Sequence, residues 1–206
     1  MTEDEAQAWV LAQFGPAAVA SLKRFAAVVR EEATRQNLVA PATLDTIWSR
    51  HIVDSAQLTL LAHSTGKWLD IGTGAGFPGM VVAILRPAPM LLVEPRRLRA
   101  DFLVRTAVAF GLDHVEVKAC KVETVASPCA VISARAVAPV EKLLHAASAC
   151  ATSETRWLLP RGRSGVDDLA EVRKRWAGEF HVEHSATDPA STILVIDHVA
   201  ARGKRR

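Results

Sequence analysis

The residues best able to do chemistry lie in one run, Asp70-Ile71-Gly72-Thr73-Gly74-Ala75-Gly76-Phe77-Pro78-Gly79. Its glycines let backbone approach a bound molecule closely and take left-handed dihedrals, and Pro78 suits a first helical turn. The run therefore predicts a strand-to-helix turn on which a ligand sits directly. Two ligands compete for it. Gly74-x-Gly76-x-x-Gly79 satisfies the dinucleotide fingerprint, with Glu94 at a suitable distance for a ribose. Asp70, however, stands two residues before Gly72 at the strand end. A carboxylate there is an awkward neighbour for pyrophosphate and a good one for a cationic amino-acid ligand. S-adenosylmethionine fits better, because its ammonium and sulfonium are positive and its ribose needs an acceptor such as Glu94. On this logic Asp70, Gly72, Gly74, Gly76 and Glu94 are candidate donor-binding residues.

Further polar groups cluster elsewhere. Arg50, His51, Asp54 and Ser55 fall at helical spacings that set Arg50 beside Asp54, and His51 beside Asp54 and Ser55, on one face. Arg135 stands just past a strand, at the carboxyl edge where open α/β sheets bind ligands; it is placed to meet a donor carboxylate or incoming RNA. Arg96, Arg97 and Arg99 crowd the start of a predicted helix, where the macrodipole disfavours cations. An RNA phosphate is one compensation and an acidic neighbour the other. Arg161 and Arg163 follow a later strand, and Lys204, Arg205 and Arg206 form a basic tail; both could grip phosphate, with a contribution that fades in salt. His181 and His184, three apart on a strand, point to opposite faces, so no metal site is expected. There is no Walker lysine, nucleophile elbow or HExxH.

Positioning these groups requires elements of two kinds. Over the first sixty residues Trp9, Val10, Phe14, Val19, Leu22, Phe25, Ala26 and Val29 recur at steps of three and four, which predicts amphipathic helix. A break around Asn37 to Pro41 ends it. Thr43 opens a further helix with Ile47, Trp48, Ile52 and Leu58 as its apolar stripe. From Lys67 short apolar runs alternate with amphipathic stretches, the pattern of βαβ units. The expected strands are Trp68 to Ile71, Leu91 to Glu94, Val115 to Lys118, Val131 to Ser133, Trp157 to Leu159, Val182 to His184 and Ile193 to Asp197. Helices are expected over Pro78 to Leu85, Arg97 to Phe110, Pro139 to Ala151 and Gly165 to Trp176. The late strands lack a helix between them, which predicts an antiparallel hairpin at one sheet edge. The class is α/β.

A chain of 206 residues, half of them hydrophobic and 23% charged, suits one compact domain rather than a two-domain enzyme or a disordered segment. We read residues 1–62 as a helical extension of the same domain and 63–206 as its core. Residues 1–60 are net acidic and the remainder net basic, which permits a polyanionic partner. With no membrane-length apolar run and an acidic start, a cytoplasmic location is expected. The three cysteines, Cys120, Cys129 and Cys150, lack zinc spacing and are expected as reduced thiols.

Four ordered motifs together resemble one family. Asn37-Leu38 precedes Arg50-His51-Ile52-Val53-Asp54-Ser55; then come Asp70 to Gly79, Lys121-Val122-Glu123 and Ser133-Ala134-Arg135-Ala136. They are similar to the bacterial RsmG (GidB) family of 16S ribosomal RNA guanine-N7 methyltransferases. The resemblance implies a class I S-adenosylmethionine-dependent methyltransferase: a Rossmann-like seven-stranded sheet with an N-terminal helical extension. It carries donor contacts over to Gly72, Phe77, Val122, Glu123 and Arg135. It also implies a small-ribosomal-subunit substrate or assembly intermediate, S-adenosylhomocysteine as product, and a monomer. The chain departs from the family pattern at Ala75, where Pro is frequent, at Val39, where Thr is frequent, and at Pro95, where a small polar residue is usual. Guanine N7 presents its lone pair without deprotonation, so no catalytic base is expected. A nicotinamide oxidoreductase and a noncatalytic RNA-binding module are the alternatives.

Overall fold

The computed structural model describes residues 1–162 and 165–202. Arg163, Lys204, Arg205 and Arg206, offered above as phosphate ligands, lie outside them. Seven strands form one sheet among the described residues: β1 Trp68–Ile71, β2 Met90–Val93, β3 Val115–Lys118, β4 Val131–Ala134, β5 Arg156–Gly162, β6 Trp176–His184 and β7 Thr192–Ala201. Their order is β3-β2-β1-β4-β5-β7-β6. The first five run parallel, while β7 is antiparallel to both β5 and β6. The expected edge hairpin is therefore present. β6 starts well before Val182, because its outer half alternates half-buried and exposed residues and carries no apolar run.

The central strands are buried on both faces, and alternate residues feed two cores. Trp68, Met90, Leu92, Val131 and Leu158 face one cluster; Leu69, Leu91, Val93, Ile132, Trp157 and Leu159 face the other. Over the first face lie α1 Glu3–Ala33, α4 Gly79–Leu85 and α5 Arg97–Ala109, with α2 Asp54–Ala56 and α3 Leu58–Leu61 between α1 and the sheet strands in sequence. α6 Val140–Ala146 and α7 Gly165–Arg175 contribute to the second cluster. Val10, Leu22, Phe25, Val29, Ile47 and Ile52 of the extension are fully buried in the same cluster as Trp68 and Leu158. Each such side chain contributes about 1.5–3 kcal/mol of transfer free energy. The extension shares the sheet's core.

Two features of the extension differ from the expected regular helices. Gly15 takes φ 81° and ψ 177° before Pro16, so α1 is two helical runs joined at a kink. The apolar period continues across that point, which is why periodicity alone reads straight through it. After a single 3-10 turn over Pro41–Thr43, residues Trp48–Val53 form a π-helical turn. Its start is held by Glu3, whose Oε2 accepts from the Trp48 N–H at 3.0 Å and whose Oε1 accepts from the Ser49 N–H at 2.9 Å.

Candidate functional site

The turn after β1 is built around buried Asp70. Its Oδ1 accepts from the Ser133 hydroxyl at 2.6 Å, and that hydroxyl in turn accepts from Trp68 Nε1 at 2.9 Å. Its Oδ2 accepts from the Gly79 N–H at 3.0 Å, at the start of α4. Burial raises the carboxyl to about 6 from its ordinary 3.8, with these hydrogen bonds pulling the other way. Asp70 thus ties β1, β4 and α4 together beneath the turn and does not line the cavity above it. Gly72 does line it, at φ +67°, and a Cβ there would sit 2.6 Å from Val137. Gly74 also faces the cavity. Gly76 instead packs inward, where a Cβ would stand 2.7 Å from the Phe25 ring of α1.

Glu94, buried at the end of β2, clamps the turn from the other side. Oε2 accepts from the Gly74 N–H and Oε1 from the Arg96 N–H, each at 2.9 Å. Pro95 has no N–H to give, so the bond comes from the next residue. Three further amides of the turn are committed. Gly72 donates to the Val93 carbonyl at 2.7 Å, and Gly76 and Phe77 donate to the Thr73 carbonyl at 2.9 and 3.1 Å.

Above the turn opens a cavity of about 700 Å³ at the carboxyl ends of β1, β4 and β5, within the size range of small-ligand sites. One wall is the extension. Arg135 Nη1 donates to the Arg50 carbonyl at 3.0 Å and to Asp54 Oδ2 at 3.1 Å, while Nη2 meets His51 Nδ1 at 2.9 Å. His51 stacks on Phe77 with ring centroids 4.9 Å apart and planes 22° apart. Burial, then Arg135 and Arg50, push the imidazole down to about 3, so it is neutral at working pH. Arg50 was expected beside Asp54. The π turn and the approach of Arg135 give Asp54 a different partner, and the Arg50 side chain is exposed at the cavity mouth.

The remaining candidates divide. Arg99 reaches the cavity and donates to the Asn37 carbonyl at 2.5 Å. Arg96 and Arg97 are exposed beside it. Arg161 also lines the cavity, but its Nε pairs with Asp168 at 2.8 Å and Nη1 donates to the Ala138 carbonyl, tying β5 to α7 and to the chain after β4. Val122 is buried in the second core and Glu123 is exposed; both stand outside the cavity, beyond β2. Sequence reasoning missed the opposite wall, Thr187, Asp188, Ser191 and Thr192 from the β6–β7 turn. The hairpin is expected from the sequence but nothing local places its turn at the site; it reaches the site because β7 inserts beside β5. It also missed Gln57, which joins the two walls: Nε2 donates to Asp54 Oδ1 and the Ser185 hydroxyl, and Oε1 accepts from the Ala186 N–H. Among the described residues no group of His, Cys, Asp and Glu could hold a metal, and no helix is long and apolar enough to cross a membrane.

Residues 18–190 match the family model described as GidB, rRNA small subunit methyltransferase G. The chain belongs to that family. It is 47% identical to ribosomal RNA small subunit methyltransferase G of Sphingopyxis alaskensis, covering 94% of this chain and 85% of the relative. To the protein of that name from Rhizorhabdus wittichii it is 46% identical, over 99% of this chain and 96% of the other. Among solved structures, cofactor-bound Rv0187 from MTB aligns with TM-score 0.65 at 15% identity, over 96% of this chain and 98% of that one. A methyltransferase from Geobacter sulfurreducens aligns with TM-score 0.61 at 12% identity, over 84% and 90%. The fold is that of the class I methyltransferases.

Proposed function

We propose that this family member transfers a methyl group from S-adenosylmethionine to N7 of a guanine in 16S ribosomal RNA, within the small subunit or an assembly intermediate. One observation carries the choice of ligand. A pyrophosphate binds by taking turn amides and a helix N-terminus. Here the Gly72 and Gly74 amides are committed to Val93 and Glu94, and the Gly79 amide at the start of α4 is committed to Asp70. The acids that take these amides, Asp70 and Glu94, lie buried beneath the turn; they leave a pyrophosphate few donors and set negative charge close to where it would sit. The residues therefore fit S-adenosylmethionine and not NAD(P).

When bound, S-adenosylmethionine supplies an electrophilic methyl on a sulfonium; the N7–CH3 bond forms as the S–CH3 bond breaks, and the positive charge passes to the purine. The chain's own task is orientation and exclusion of water. Gly72 and Gly74 let backbone close on the donor, Glu94 offers acceptor capacity at the ribose end, and Phe77 with His51 supplies a flat apolar wall. Arg135, fixed by three partners, borders the reacting volume. His51 is held neutral with both ring nitrogens engaged, so it is not arranged as a general base, in keeping with a reaction that needs none. N7 is hidden in the deep major groove of a regular RNA helix, so the target guanine is unpaired or flipped.

Thermal unfolding with ligands tests the donor assignment. S-adenosylmethionine or S-adenosylhomocysteine at a hundred times its Kd is expected to stabilise the protein by about 2.7 kcal/mol, with no shift from NAD(P). A shift with NAD(P) and none with the methyl donor would reverse the assignment.

A further inference from the structure

We propose that Thr43, in the 3-10 turn of the extension, is a positioning residue that anchors the His51 ring in the tautomer Arg135 requires and through it holds the aim of Arg135 into the cavity. The protons leave one arrangement. A guanidinium only donates, so the His51 Nδ1 that meets Arg135 Nη2 at 2.9 Å must carry a lone pair. The neutral ring then carries its proton on Nε2, which requires an acceptor. Thr43 Oγ1 stands 2.9 Å from Nε2 and donates its own hydrogen bond to the Ala40 carbonyl at 2.8 Å. Every hydrogen from Ala40 to Arg135 is thereby assigned. The other tautomer would set a ring N–H against a guanidinium N–H.

Geometry holds the relay in plane. Phe77 stacks under the imidazole at 4.9 Å, and the Arg135 guanidinium carbon lies 5.5 Å from the same ring. Asp54 and the Arg50 carbonyl fix the Nη1 side of Arg135 only; His51 fixes the Nη2 side. Thr43, His51, Phe77 and Arg135 all line the cavity and come from separate segments of the chain. Removing the Thr43 hydroxyl strands the Nε2–H in a half-buried site and lets the ring turn from Phe77 and Arg135, after which neither tautomer is imposed. Arg135 then loses the acceptor that orients it. The catalytic consequence rests on the methyltransferase reading; the tautomer assignment does not.

The test compares wild type with Thr43→Val, Thr43→Ala and Thr43→Ser, each checked for folding by circular dichroism. Imidazole 15N NMR reads the tautomer without substrate, with the His51 signal identified by its loss in His51→Gln. Wild type and Thr43→Ser should show the Nε2–H form, and Thr43→Val and Thr43→Ala a mixture. Methyl transfer to small subunits should lose about tenfold to a hundredfold in kcat in the Val and Ala variants, with KM for S-adenosylmethionine within about twofold and Thr43→Ser largely restored. An unchanged tautomer in Thr43→Val, an unchanged kcat, or failure of serine to restore it would overturn the proposal. A wild type that transfers no methyl group would instead sink the methyltransferase reading, and the NMR would still decide the tautomer.

Discussion

At the scale of single residues, chemistry was legible where residue type alone restricts the options. Residue type and spacing alone mark the Asp70-x-Gly72 run, Glu94, His51, Asp54 and Arg135, and Gly72, Phe77, His51, Asp54 and Arg135 meet around one cavity. Their division of labour was not legible. Asp70 looks like a ligand-binding acid in sequence, but in the structure its two oxygens are taken by Ser133 and Gly79 under the turn. A titration follows from that burial. Because the folded-state carboxyl is raised to about 6, the folded protein holds this proton more tightly than the unfolded chain. Its contribution to stability is fully present at low pH and is lost as pH rises from the ordinary 3.8 through about 6. Asp70→Asn removes this titration. Urea unfolding of both proteins should therefore give a wild-type-minus-variant stability difference that falls between about pH 4 and pH 7; a difference constant across that range would contradict the assignment.

At the scale of elements, strands and long helices followed from local pattern, since Val, Ile and Leu runs bounded by turns leave little choice. β1 and β3 begin and end where the sequence sets them, and α4 starts one residue after Pro78, which adopts φ −86° as its N-cap. The π turn over Trp48–Val53 was not readable, because apolar spacing hardly distinguishes an i+4 from an i+5 ladder. What stabilises it is distant in sequence: Glu3 accepts from the Trp48 and Ser49 amides and from the Ser49 hydroxyl. Glu3→Ala leaves the donors of buried Trp48 and Ser49 without their acceptor, so chemical denaturation should show a loss of about 1–3 kcal/mol. Since the same turn carries Arg50 and His51, methyl transfer should fall in parallel although Glu3 does not line the cavity. Full activity in a destabilised variant would show that the turn's geometry is irrelevant to the site.

At the scale of the whole molecule, the sheet order decides what meets what. β1 and β4 are adjacent parallel strands at the switch point, and β7 sits beside β5, so the extension, the glycine turn and the β6–β7 turn enclose one volume. Only the first two could be placed at the site from sequence, because a hairpin's local pattern does not say beside which strand it inserts. Exposed Arg96 and Arg97, close in sequence to cavity-lining Arg99, are the residues we propose meet the RNA phosphate backbone. Arg97→Ala should weaken 16S RNA binding uniformly and lower the slope of log affinity against log salt by about one, leaving S-adenosylmethionine binding unchanged; an unaltered slope would remove Arg97 from the interface. The central claim is tested most directly by incubating the protein with labelled S-adenosylmethionine and small ribosomal subunits lacking the modification, then digesting the RNA to nucleosides. The account predicts label in N7-methylguanosine; label in any other nucleoside, or none in RNA despite bound donor, would contradict it.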